Sequence, residues 1–126
     1  MLRQTPIEEI IDTESIMIDN RTDSNGSLTA RLLVDNNDDL EIDEKTEDFA
    51  KDFVNYLKSQ GFSALIDGKK GNYEVTANKS GRNDSYVVSK GFPHDSQSVI
   101  VTMIPVHDSN PSIMGEYLRH IQGVVW

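Results

Sequence analysis

The sequence predicts one α+β domain spanning residues 1–126, built on an antiparallel sheet of about five to six strands with two main helices and a short N-terminal helix. The expected order is α-β-β-α-β-β-β-β-α, with the helices on one face of the sheet. Three observations predict it. A chain of 126 residues suits a single domain. Two stretches carry apolar residues at helical spacing and close on glycine. Around them lie short apolar runs separated by bends rich in Gly, Asn and Asp, the pattern of hairpin-linked strands.

The first element is a helix start at Thr5-Pro6-Ile7-Glu8. Thr5 caps, Pro6 suits the first helical position and Glu8 completes a capping box. Ile7, Ile10 and Ile11 then share a face, and the helix is expected to end near Asp12 or Thr13. A hairpin follows, with Ser15 to Ile18 as one strand and Leu28 to Val34 as the other. The turn-forming stretch from Asn20 to Gly26 joins them. Leu40 and Ile42 alternate with Glu41 and Asp43, which predicts a short edge strand. The clearest helix carries Phe49, Phe53, Tyr56 and Leu57 at spacings of four and three, with an acidic first turn that suits the helix dipole. Gly61 stops it, and Phe62 fits a Schellman ending.

Three strands are expected at Phe62 to Ile66, Tyr73 to Ala77 and Tyr86 to Val88, with turns at 67–72 and 79–84. A fourth spans Ser98 to Ile104, and Pro105 ends it or places it at an edge. In the last helix Asn110 caps and Pro111 takes the first position. Ile113, Met114, Tyr117, Leu118 and Ile121 form its apolar stripe.

Composition narrows the function classes. With 37% hydrophobic and 7% aromatic residues, a core is feasible but thin. No apolar run approaches the roughly 18 residues of a membrane span, so no membrane contact is expected. The start of the chain lacks the basic and apolar pattern of a secretory signal, and a cytoplasmic protein is expected, in a host cytoplasm or a virion if viral. Cysteine is absent, which removes disulfides, thiolate nucleophiles and sulfur-ligated metals. The four Asn-x-Ser/Thr triplets, at Asn20, Asn25, Asn78 and Asn83, read as turn composition. The charge is lopsided. Residues 1–48 hold 14 acidic and 4 basic side chains, residues 49–126 hold 7 and 8, and the net charge is -9.

No motif fixes a chemistry. Asp35-x-Asn37-x-Asp39 opens like a calcium loop, but Leu40 stands where the loop needs its sharp-turn Gly and Thr46 where it needs the bidentate Glu. His94-Asp95-Ser96 and His107-Asp108-Ser109 echo each other across a strand, so they lie at its opposite ends and do not converge as a triad must. His120 suits a helix C-terminus. Gly68-Lys69-Lys70-Gly71 and Ser80-Gly81-Arg82 are hairpin turns without the spacing of a phosphate loop. No catalytic residue, cofactor or metal is expected, and direct nucleic-acid binding is disfavoured by the acidic balance.

The candidate contact surface is therefore the acidic stretch Asp35, Asp38, Asp39, Glu41, Asp43, Glu44, Glu47 and Asp48, relieved only by Lys45, together with the apolar tail that ends in Trp126. Asp43, Glu44, Glu47 and Asp48 are expected on the first turns of the helix, with 44 and 48 on one face. Such a field steers a basic partner. Thr22-Asp23-Ser24-Asn25, an apolar strand, Asn36-Asn37-Asp38 and an acidic helix follow one another in a layout that resembles small acidic phage proteins that inhibit type II CRISPR nucleases. Two functions are expected. One is a non-enzymatic protein–protein interaction or assembly protein, contacting copies of itself or neighbours as small viral structural components do. The other is an acidic inhibitor or adaptor that mimics nucleic acid in the basic groove of a nucleic-acid-binding protein.

Overall fold

Alternation of buried and outward side chains builds the centre of the molecule. Tyr73, Val75 and Ala77 are buried while Glu74 and Thr76 are not; Tyr86 and Val88 are buried while Ser85, Val87 and Ser89 are not. Period-two burial of this kind belongs to strands covered on one face only. The computed structural model describes residues 7–19, 27–33, 39–69, 71–91, 100–106 and 109–121.

Among the described residues nine elements follow in order: α1 (Ile7–Ile10), β1 (Ile11–Asp19), β2 (Ser27–Leu32), α2 (Asp39–Ser59), β3 (Ser63–Lys69), β4 (Asn72–Lys79), β5 (Arg82–Gly91), β6 (Ile100–Val106) and α3 (Pro111–Ile121). The expected α+β class and element order hold. The six strands form one antiparallel sheet in the order β1-β2-β6-β5-β4-β3. α2 lies across β3, β4 and β5, and α3 packs toward β1 and β2. Phe49 and Phe53 of α2 meet Tyr117 of α3 at ring distances of 5.9 and 4.8 Å, and Phe53 meets Tyr86 of β5 edge-on at 5.3 Å. Both helices therefore cover the same face.

Several expected boundaries move. The edge strand at Leu40 to Asp43 does not form, because α2 already begins at Asp39. Ile42, Thr46, Phe49, Ala50 and Phe53 are all buried and recur at helical spacing, and the Thr46 hydroxyl donates to the Ile42 carbonyl at 2.8 Å. Burial of that stripe overrides the local alternation. α1 ends at Ile10 rather than at Asp12 or Thr13. The chain turns from helix to strand between Ile10 and Ile11, and this buries both side chains. The expected Thr5–Pro6 cap lies outside the described residues.

Pro105 neither ends β6 nor sits on an outer strand. β6 lies inside the sheet, and Pro105 pairs with Tyr86. Its missing N–H is tolerated because the pairing of β6 with β2 stops at Leu28 and Met103, short of Pro105.

The helix ends follow their signals. Gly61 has φ 91°, Phe62 N–H donates to the Leu57 carbonyl and Gly61 N–H to that of Lys58, which is the Schellman pair. Asn110 Oδ1 accepts the Ser112 N–H at 2.9 Å and caps α3. Gly68 is a different case. Its φ is 118°, and a Cβ there would lie 2.3 Å from the Asn72 carbonyl oxygen. Gly68→Ala is expected to cost about 2–3 kcal/mol through backbone strain and hairpin displacement, read as a lowered thermal midpoint; an unchanged midpoint would refute the close approach.

Candidate functional site, the acidic helix start and the open sheet face

The acidic stretch is divided among several environments. Asp35, Asp38 and Trp126 lie outside the described residues. Asp39 and Glu41 fall in the first turn of α2. Asp43, Glu44, Glu47 and Asp48 were expected on the first turns, but the earlier start of α2 moves Glu47 and Asp48 to its third turn, beyond the reach of the positive end of the helix dipole. Asp43 is engaged by Lys90 of β5 in a partly buried ion pair. Glu47 pairs with Lys51 at 3.5 Å one turn on. Lys45 donates to the Glu9 carbonyl. Glu44 is exposed.

Asp48 is half-buried, and its carboxyl is pushed above the usual range, first by desolvation and then by Glu47, against the pull of Lys51 and Lys45. A carboxyl raised in the folded state costs nothing where it is protonated and destabilises once pH rises above its unfolded value. Asp48→Asn is therefore expected to raise the thermal midpoint at pH 7, with the gain disappearing below pH about 4. A gain that persists at acid pH would point to packing rather than charge.

The other candidates resolve into structural roles or lie outside view. His94, Asp95, Ser96, His107 and Asp108 are outside the described residues. Ser109 is buried and its hydroxyl accepts the Ser85 N–H and donates to the Val106 carbonyl. Beside it Asp84, 2% exposed, accepts the Asn110 N–H at 3.0 Å and the Arg82 guanidinium at 3.2 Å. The Tyr86 hydroxyl donates to the Asn110 carbonyl at 2.7 Å. These groups fasten the start of α3 to the sheet. His120 is exposed against the ring of Tyr56. Among the described residues, no group of three or more His, Cys, Asp or Glu side chains is placed to hold a metal ion.

What sequence reasoning missed is the second face of the sheet. Among the described residues, α2 and α3 lie on one side, and the residues that alternate outward on the other form cross-strand rows. One row runs Asp67, Glu74, Val87 and Ile104, and the next runs Lys69, Asn72, Ser89, Thr102, Thr29 and Met17. Leu65 is 74% exposed, Met17 65% and Ile104 42%. The Ser89 and Thr102 hydroxyls bond to each other at 3.2 Å. On β4, β5 and β6 the only charged side chain among the outward positions between 72 and 76, 85 and 91, and 100 and 106 is Glu74. At the β3–β4 corner, Asp67, Asn72, Glu74 and Val87 line a shallow depression of about 230 Å³. The available signal was the Ser/Thr alternation along β5 and β6, masked by Val87, Ile104 and Val106 at outward positions.

No helix among the described residues is long and apolar enough to cross a membrane. No family model, no curated protein and no solved structure matches the chain. The likeness to phage inhibitors therefore rests on the turn residues quoted for it.

Proposed function

We propose that this chain is a non-enzymatic protein–protein interaction or assembly module whose contact surface is the open face of its sheet. The observation that carries this is the contrast between a molecule of net charge -9 and a sheet face whose central strands expose Val87, Ile104, hydroxyls and one carboxylate. Depletion of charge around an apolar centre distinguishes contact surfaces from ordinary solvated ones. The acidic start of α2 supports the alternative, an inhibitor of a basic groove, less well. Its Asp43 and Glu47 already have cations beside them, and Asp48 is half-buried.

Site-specific photo-crosslinking tests this. A benzophenone side chain placed at position 104, on the open face, is expected to give protein adducts. The same group at position 55, exposed on α2, is expected to give none. Adducts from 55 and none from 104 would remove the sheet face as the contact surface.

A further inference from the structure

We infer that the occupant of the open sheet face is a second copy of this chain, packed sheet to sheet about a two-fold axis that runs along the strands between β5 and β6. This rests on the contact-face reading above and names its partner.

Self-complementarity is the first argument. Val87 and Ile104 are directly opposite across β5 and β6, as are Ser89 and Thr102. A two-fold axis between these strands lays Val87 of one copy over Ile104 of the other, twice, and makes an apolar centre. The same operation lays Asn72 over Thr29 and Ser89 over Thr102, polar on polar. Two open faces meeting in this way form an aligned sandwich, in which sheets pack at about −30°.

Area and charge agree. Six strands about 4.8 Å apart and about 20 Å long outline roughly 500 Å² per copy, or about 1,000 Å² for the pair, the lower bound of a specific interface. At the centre of the face, β5 and β6 bring Val87, Ile104, Ser89 and Thr102, none of them charged.

The sheet edges are poorer candidates. β1 carries a register shift between Asp12 and Met17. On β3, Ala64 is 5% exposed, and the Gly68 N–H is taken by the Asp67 carboxylate at 2.8 Å. Bulged and internally satisfied edges resist strand addition.

Molar mass by light scattering, measured across concentration and at two ionic strengths, tests the inference. At around 100 µM the chain is expected to approach twice its monomer mass, as a micromolar Kd requires. The dimer fraction is expected to rise with salt, because each copy carries -9 and screening weakens the long-range repulsion between them. Ile104→Arg and, independently, Thr102→Arg are expected to hold the chain at monomer mass with an unchanged circular dichroism spectrum, while Glu44→Lys dimerises as well as the unsubstituted chain. A monomer at every concentration and salt, or dimerisation unaffected by both arginine variants, overturns the second copy. The mass of the adduct formed from position 104 separates the two claims. An adduct of twice the chain mass supports both. An adduct to a different protein overturns the second copy and leaves the contact face standing. The absence of any adduct from 104 overturns both.

Discussion

Phe53→Ala is expected to destabilise the fold by about 3–5 kcal/mol, the largest effect of any single truncation in the core. Phe53 is fully buried and stands at the junction of three elements. Its ring meets Tyr86 edge-on at 5.3 Å and Tyr117 at 4.8 Å, so it couples α2 both to the sheet and to α3. Truncation removes the transfer energy of the ring and leaves a cavity that two tyrosines cannot fill. Each is fixed by its own hydroxyl, Tyr86 to the Asn110 carbonyl at 2.7 Å and Tyr117 to the Asp52 carboxylate at 2.8 Å. Since small domains hold about 5–15 kcal/mol in total, the variant is expected to be largely unfolded at 37 °C or to melt far below the parent. Urea denaturation followed by circular dichroism measures this. A loss below about 1 kcal/mol would mean that the aromatic junction relaxes freely and does not tie the layers together.

Asp84→Ala is expected to cost about 2–4 kcal/mol. The carboxylate is almost completely buried, yet the N–H of Asn110 and the guanidinium of Arg82 both donate to it. Removing it strands the Asn110 N–H, just where Asn110 caps α3 and where its carbonyl receives Tyr86. The damage is therefore local as well as global. Amide exchange in the first turn of α3 is expected to accelerate more than exchange in β3 and β4. Asp84→Asn keeps an acceptor at the same place and is expected to lose about half as much. Uniform acceleration across the sheet and α3 would show that Asp84 supports the fold generally rather than fastening that helix.

The residues explain which parts of this fold are legible in sequence. Phe49, Phe53 and Leu57 announce α2, and Gly61 with Phe62 announces its end, because a helix stripe and a Schellman stop are both local patterns. The start of α2 is not legible. Leu40 to Asp43 alternates like a strand, and only the burial of Ile42 and Thr46 beneath the helix decides otherwise. Strand lengths are understated for a related reason. β5 runs ten residues from Arg82, whereas only its apolar middle at Tyr86 to Val88 stands out by composition.

The candidate surfaces divide in the same way. The acidic run is plain in composition, but its compensation is not, since Lys90 reaches Asp43 from a strand far along the chain. The open face depends on sheet order. β6 pairs with β5, the strand before it, and this sets Ile104 beside Val87, but only its long-range pairing with β2 places both at the middle of the face that the described helices leave uncovered.

The most direct test of that surface is the paired photo-crosslinking experiment at positions 104 and 55. If the sheet face is where this molecule meets protein, covalent adducts form from 104, at twice the chain mass where the partner is a second copy, and position 55 stays unmodified. If adducts form from 55 while 104 reacts with solvent alone, the contact surface is the helical side and the sheet face is simply solvated.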